Sequence, residues 1–304
     1  MRFAFIVVLL FWRSDATQLC TDADGVKLSR LVESQRSMPA EAMQSAVRKT
    51  IEDAWCAYRA HAWGRDTLMP VSSSGSDWVH LATTAVDALD TLMMARLEPH
   101  AAETKSLLIG AFKGARKPAV VSAYNLVASV LGGLISAHAL SKDTQVLQMA
   151  ASLADNVSMV FDAPSEIPHS SVNLLMRRTR AVSRYNLLSE AGSFRMEYDA
   201  LSDAMGSRNR YGPPARAQHS LIGSFVDGLV PSTLINIETA EADGNALLTI
   251  GRGSGAFYGG LLKSWIQNGR TDVTLRAAHQ DFVHGVTTRL LRRSPEEVLM
   301  LWRI

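Results

Sequence analysis

Cysteine is almost missing from this sequence: Cys20 and Cys56 are the only two in 304 residues, too few for the disulfide framework that holds small secreted domains together. A chain this long can bury enough apolar surface to do without one. Cys20 is read as a residue near the mature N-terminus and Cys56 as a half-buried helix residue, with a Cys20–Cys56 bridge as the alternative. Excess charge of either sign is missing too, since 31 Lys and Arg face 29 Asp and Glu for a net charge of +2. The basic residues are scattered apart from short clusters such as Arg177-Arg178 and Arg292-Arg293, so nucleic acid is not expected as a partner. Long apolar runs are confined to Phe3–Trp12, ten residues, where a membrane span needs about 20. Arg2 ahead of that run and Ser14-Asp15-Ala16 behind it fit a secretory signal peptide over 1–16, cleaved near Ala16. An uncleaved anchor is the other reading of the same run, and only then is a membrane contact expected. No composition shift or long linker divides 17–304, which reads as one domain or one piece of a domain.

What is present is mostly helical periodicity. Apolar residues recur at i, i+3 and i+4 over 41–63, 80–97, 101–115, 120–141, 144–161, 189–206, 214–225, 255–268 and 272–292, which predicts amphipathic helices. Within 144–161, Val146, Met149, Ala150, Leu153, Val157 and Val160 form one stripe. Prolines 164, 168, 213, 214 and 231 fall between such segments, where a missing N–H does little harm. STLINIET (232–239) and ALLTI (246–250) break the pattern, and Asp243-Gly244 between them suits a tight hairpin turn. The expected fold class is all-α: antiparallel helix pairs in a toroid or solenoid, with one β-hairpin. Asn156-Val157-Ser158 is the single N-glycosylation sequon and lies inside a helical segment.

The stretch LLTIGRGSGAFYGGLLKSW (247–265) sets Gly251, Gly253 and Ala256 in a G-x-G-x-x-A pattern between a strand-like and a helix-like segment, the form of a phosphate cradle. A dinucleotide site needs that strand in a parallel sheet with a crossover helix and a further strand, and only helical pattern follows here. A nucleotide is therefore not expected.

Eight stretches stand in order along the chain: AWCAYRAHAWGRDTLMPVS (54–72), VDALDTL (86–92), LGGLISAH (131–138), FDAPSEIPHSSVNL (161–174), SEAGSFRMEYDALS (189–202), DGLVPSTLINIET (227–239), FYGGLLKSWIQNGR (257–270) and LLRRSP (290–295). Together they resemble the class I α-mannosidases of glycoside hydrolase family 47, which trim α-1,2-linked mannose from N-glycans in the endoplasmic reticulum and Golgi. The resemblance implies an (α/α)7 barrel whose alternate helices line a tapering cavity, with a β-hairpin plugging one end and calcium beside the sugar site. It implies a high-mannose N-glycan or glycoprotein as partner, and the secretory pathway as location. The sequence covers part of the family length, so the expectation is an incomplete (α/α)7 barrel. The family's Arg-Pro-Glu carboxylate and calcium-binding Thr have no counterpart in these residues, and no calcium site is expected.

Inverting hydrolysis of a glycosidic bond needs one carboxylic acid to protonate the leaving oxygen and one carboxylate to activate water, about 6.5–9.5 Å apart. In the stretch YNLVASVLGG (124–133), the resemblance puts Asn125 at the family's Glu before Leu-Gly-Gly and Ser129 at its sugar-binding Arg. In GRGSGAFYGGLLK (251–263) it puts Gly255 at the second catalytic carboxylate, an Asp, and Gly259 at the following Glu. Gly253 falls at an Arg of the same motif, with Arg252 one place earlier. No catalytic residue is therefore expected in this chain, and the glycines of the apparent phosphate loop belong to an eroded mannosidase motif. Glu190, in the Ala-Glu-like motif, is the one residue for which the resemblance implies a substrate contact, through sugar or calcium-bound water.

Other chemistry-bearing residues read as scaffold. Asp87 and Asp90, three apart on one helix face, are expected to be hydrogen bonders, Glu197 a structural partner, and Asp66 a loop or cap residue after Gly64. His61, His138 and His169 stand near motif positions often taken by aromatics and are expected to pack with satisfied polar tips. His279 and His284 are five apart, off the spacing of a helical metal pair. Trp55, Trp63 and Trp78 are expected in the core rather than on a sugar ring. The expected protein is thus a mannosidase by descent without catalysis, the alternative being a pseudoenzyme that holds glycans or a client in the secretory pathway.

Overall fold

The computed structural model describes residues 39–114, 120–176, 178–179, 183–207, 211–244, 247–293 and 299–301. The expected signal peptide over 1–16, Cys20 and Arg177 lie outside them. The described residues fall into two compact units, one up to Lys113 and one from Gly114 onward.

In the first unit, helix α1 (Ala40–Ala62) is exposed through Lys49 and buries Trp55, Tyr58 and Ala62 near its end. Gly64 at φ 75° turns the chain out of it, as the left-handed region requires after a helix. A hairpin of β1 (Thr67–Met69) and β2 (Ser74–Ser76) follows, Leu68 opposite Gly75. Helices α2 (Thr83–Met94) and α3 (Glu98–Lys113) form an antiparallel pair joined by a three-residue turn with Arg96 at φ 55°. Val86, Leu89 and Leu92 of α2 and Leu108 of α3 are fully buried, the apolar stripes that the 3.6-residue period predicts.

The second unit opens with β3 (Val120–Ser122) and the long helix α4 (Ala123–Ser141), which contains a π-helical stretch from Leu126 to Leu131. Alone among the described helices, α4 is long and apolar enough to cross a membrane by length and composition. Its apolarity has a use inside the fold: Leu126, Leu131, Leu134 and Ala137 are buried against α5 (Thr144–Val157). Lys142 at φ 57° ends α4 by donating to His138 O at 2.7 Å, and Asp143 caps α5 by accepting from Gln145 N at 2.8 Å. The stripe read from the sequence is buried as expected, Val146, Met149, Ala150, Leu153 and Val157 on α5 and Val160 on the 3-10 turn that follows.

Strand β4 (Ser171–Asn173) pairs antiparallel with both β3 and β5 (Arg178–Thr179). Then β6 (Tyr185–Leu187) leads into the short helix α6 (Leu188–Ala191), followed by α7 (Arg195–Ala204) and α8 (Pro213–Gly223), whose first two positions are the prolines. Phe161, Phe194 and Tyr198 form an edge-to-face cluster with centroids 5.4 and 6.2 Å apart from Phe161, each such pair worth about 0.5–1.5 kcal/mol beyond its burial.

The hairpin expected over 232–250 differs from what forms. Strand β7 (Leu234–Asn236) takes β6 as its ladder partner, Ile235 opposite Asn186, and 247–250 is not a strand. The chain does fold back on itself: Asn236 N reaches Glu241 O at 2.8 Å, Ile235 bridges Ala242, and Thr233 N reaches Leu247 O at 3.2 Å. Helices α9 (Gly255–Gln267) and α10 (Val273–Gly285) close the helical part as an antiparallel pair. Tyr258 of α9 stacks on Phe282 of α10 at 4.3 Å and accepts from Val230 N at 2.9 Å; burial pushes its phenol up to about 12. A π turn (Val286–Leu290) and a hairpin of β8 (Leu291–Arg293) and β9 (Leu299–Leu301) follow, ending helical structure a little before the expected residue 292.

Candidate functional site

The positions that the mannosidase motifs single out lie in the second unit. Asn125 sits one turn into α4, exposed, with its backbone N–H donated to Ser122 Oγ at 3.2 Å. Ser129 follows on the same helix, half-buried, inside the π-helical stretch. A π-helical turn carries an extra residue and changes which side chains share a face.

Glu190 lies on α6, held between two loops. Leu188 N donates to Thr233 O and Ser189 N to Gly253 O, both at 2.9 Å. Gly192, just after α6, lies flat against Phe257 of α9, where a Cβ would overlap the ring. These contacts bring α6 against the first turn of α9, which begins at Gly255. Glu190 is half-buried, and burial holds its carboxyl above the usual range. Tyr124, the neighbour of Asn125, is half-buried within electrostatic reach of Glu197 and Glu190; burial first, then those two charges, push its phenol up. Tyr124, Glu190 and Glu197 therefore lie within electrostatic reach of one another, and α6, which carries Glu190, packs on the helix that starts at Gly255.

The glycine loop is closed on itself. Gly255 N donates to Gly251 O at 2.8 Å, Ser254 N to the same oxygen at 3.1 Å, and Gly251 N to Thr249 Oγ1 at 3.1 Å. Ser254 Oγ donates to Thr249 O. Three of the N–H groups that a phosphate cradle would present, those of Gly251, Ser254 and Gly255, are thus engaged within the turn. A Cβ built on Gly255 would stand 2.9 Å from Ile250 O, while one on Gly259 meets nothing within 4 Å. The loop has settled into the volume that a side chain at 255 would need, and the position at 259 stays open.

Several sequence expectations change here. Cys56 is exposed rather than half-buried, because the buried side of α1 runs through Trp55 and Tyr58 instead. Trp55 is in the core as expected, whereas Trp63 and Trp78 are half-buried. His138 has its satisfied tip, Nδ1 lying 2.9 Å from Asp143 O. His61 is exposed at the end of α1, and His169 has a buried Nδ1 with no partner among the described residues. Asp90 is buried and accepts from Thr91 Oγ1 at 3.3 Å, the hydrogen-bonding role expected of it, and Asp87 is exposed.

Sequence reasoning missed the reach of Asp66. Far from a simple cap, it is 1% exposed and its two oxygens accept five backbone N–H groups, those of Trp78, Val79, His80, Leu81 and Thr83, at 2.6–3.3 Å. A calcium ion needs six to eight oxygen ligands. Among the described residues no three His, Cys, Asp and Glu side chains gather into a group that could hold a metal, and the Asp66 oxygens are already engaged by backbone N–H groups.

Known proteins agree on the family that the motifs resemble. The profile of glycosyl hydrolase family 47 matches residues 50–303. The chain is 32% identical over 257 residues to the endoplasmic reticulum mannosyl-oligosaccharide 1,2-alpha-mannosidase of Homo sapiens, covering 83% of this chain and 36% of that protein. The Schizosaccharomyces pombe protein of the same description is 27% identical over 255 residues, 82% of this chain and 49% of that one. Among solved structures, an alpha-1,2-mannosidase from Trichoderma reesei is similar with a TM-score of 0.77 and 20% identity, over 88% of this chain and 59% of that chain. That likeness shows the fold: the helix pairs are those of an (α/α)7 barrel, of which this chain spans a part. It spans between about a third and a half of the two curated relatives' lengths. With its motifs, its helix pairs and the matched profile in agreement, the chain belongs to glycosyl hydrolase family 47.

Proposed function

We propose that this chain serves high-mannose N-glycan processing in the secretory pathway as a family 47 protein that does not itself hydrolyse mannosides. The observation that carries the reading is the glycine turn: where the motif calls for a carboxylate, Gly255 has neither a side chain nor room for one, its Cβ site lying 2.9 Å from Ile250 O. The other motif position, Asn125, bears an amide that does not exchange a proton near neutral pH. Without the pair, neither protonation of the leaving oxygen nor activation of water has a group to perform it.

What this chain's residues still offer is contact. Glu190 keeps a half-buried carboxylate beside Tyr124, a setting in which a sugar hydroxyl finds both acceptor and donor. This favours, as a second reading, a pseudoenzyme that holds high-mannose glycans or a glycoprotein client in the endoplasmic reticulum or Golgi.

The test is release of free mannose from a high-mannose N-glycan, with and without calcium, against buffer and an Asn125→Ala variant. No release above buffer is expected. Turnover that disappears in Glu190→Gln would overturn the proposal by revealing a relocated acid.

A further inference from the structure

We propose that Asn156 carries an N-linked glycan, an inference that rests on the lumenal location proposed above. The sequon Asn156-Val157-Ser158 ends α5, at the point where the helix passes into the 3-10 turn Ser158–Phe161. Val157 points inward and is 1% exposed, with Val146, Met149, Ala150 and Leu153 buried on the same side. The opposite side presents Gln145, Gln148, Ser152 and Asp155, all exposed, and half-buried Asn156 follows them at i+4 from Ser152. An oligosaccharide on Asn156 therefore leaves along a polar face of the helix, past exposed Ser152 and Gln148.

The amide itself is set for this. Asn156 Nδ2 donates one N–H to Ser152 O at 2.7 Å, and a primary amide has two. Glycosylation replaces one hydrogen and leaves the other, so the same bond can exist before and after modification. The donor is an oligosaccharide on a polyprenyl diphosphate. Its anomeric C1–O bond breaks, the Nδ2–C1 bond forms, the amide proton goes to a base, and the lipid diphosphate leaves. Transfer acts on the extended chain, where the Ser158 hydroxyl completes the sequon. On folding, that hydroxyl turns back to donate to Ala154 O at 2.8 Å. Neither sequon side chain has to give up its folded contact for the glycan to stay.

The full chain is expressed in cells that N-glycosylate, once with its own residues 1–16 and once with these exchanged for a proven cleaved leader, and lumenal entry is scored by protease protection. In the leader-exchanged, protected chain an endoglycosidase-sensitive mobility shift is expected. It should map to the peptide with Asn156, be lost in Asn156→Gln and Ser158→Ala, and persist in Ser158→Thr. A protected chain without the shift overturns the proposal, as does a shift that survives both Asn156→Gln and Ser158→Ala. A shift with the exchanged leader and none with the native one would uphold Asn156 as acceptor and sink the lumenal reading instead. Two independent losing variants keep the result interpretable if one of them folds poorly.

Discussion

Asp66 and His80 are joined by a 2.6 Å bond from the His80 backbone N–H to Asp66 Oδ2, the shortest of five that this carboxylate accepts across the loop into α2. His80 and Ala82 in that loop hold φ of 58° and 52°, left-handed values that are strained for residues with a Cβ. Five donors converging on one anion offset that strain, and one of them, Thr83 N, is the first N–H of α2, which Ala82 has no side chain to cap. Burial alone would raise the Asp66 pKa, but the N–H groups of Val79, Trp78, His80 and Leu81 hold it below the usual range.

Asp66→Asn should therefore destabilise by about 3 kcal/mol or more, because the amide NH2 faces donors where an oxygen accepted them. Denaturant unfolding measures it, and a loss under 1 kcal/mol would mean that the loop is held by something else. The pH dependence has a fixed sign. A carboxylate whose folded pKa is depressed contributes fully above its unfolded value of ~3.9 and loses that contribution as pH falls through the folded one. The wild type should lose stability towards Asp66→Asn below about pH 4, closing the gap between them.

The second prediction concerns Arg195, which is 7% exposed and reaches Asp199 at 3.1 Å, Gln218 Oε1 at 3.2 Å and Asp272 at 2.8 Å. Asp272 also caps α10 by accepting from Thr274 N and Leu275 N, so one guanidinium joins α7, α8 and the start of α10. Arg195→Met leaves a half-buried carboxylate without its fork and should cost about 3–5 kcal/mol. Arg195→Lys keeps the charge but not the geometry and should fall between. Equal midpoints for Arg195→Met and wild type in thermal or denaturant melts would show the network to be idle. Asp272 is raised by burial but held low on balance by Arg195 and Leu275 N, so this contribution too fades on the acid side.

How legible these relationships were depends on sequence distance. The α5 stripe repeats every 3.6 residues within one segment, and Asn125 and Gly255 stand inside motifs, so all were readable from the sequence. The donors to Asp66 lie 12–17 residues away, and nothing local marks them. The β1–β2 hairpin has no local mark, because Ser72-Ser73-Ser74-Gly75-Ser76 lacks apolar alternation. Local pattern offers strand β7 the nearest partner, 246–250, whereas the ladder runs to β6 some 50 residues earlier, a pairing that such pattern cannot rank. The π-helical turn beside Ser129 has no sequence mark of its own.

The third prediction separates binding from stability at Glu190. Burial holds its pKa above the usual range, so the charged form is disfavoured in the fold. A raised folded pKa means that stability is fuller below the unfolded carboxylate value and declines as pH rises through the folded one. Glu190→Gln should then match wild type below the unfolded carboxylate value of ~4.3 and be no less stable at pH 7. Affinity for a high-mannose oligosaccharide should fall about tenfold in the same variant, the effect of one charged hydrogen bond. Calorimetric titration and thermal melts read the two effects apart, and unchanged affinity in a folded variant would remove Glu190 from the glycan contact.

The last prediction is that the catalytic carboxylates cannot simply be put back. Asn125 is exposed and Gly259 faces open space, so Asn125→Glu and Gly259→Glu should fold with midpoints close to wild type. Gly255 is different, since its Cβ site is 2.9 Å from Ile250 O and the turn below is bound by Gly255 N to Gly251 O. Replacing a helical glycine by alanine ordinarily gains about 1 kcal/mol, and Gly259→Ala should show that gain. Gly255→Ala should show none and cost about 1–3 kcal/mol instead, because backbone rather than a pliable side chain has to move. Gly255→Asp inherits the same penalty and puts its carboxylate on a shifted turn. Since productive acid–base geometry tolerates little displacement, the Asn125→Glu/Gly255→Asp pair should release no mannose above background. Denaturation midpoints of the two alanine variants decide the structural half: equal gains at 255 and 259 would show the turn to be compliant. Mannose release by the double variant would then show that this site lacks only its two carboxylates, and that the rest of the machinery for hydrolysis is still in place.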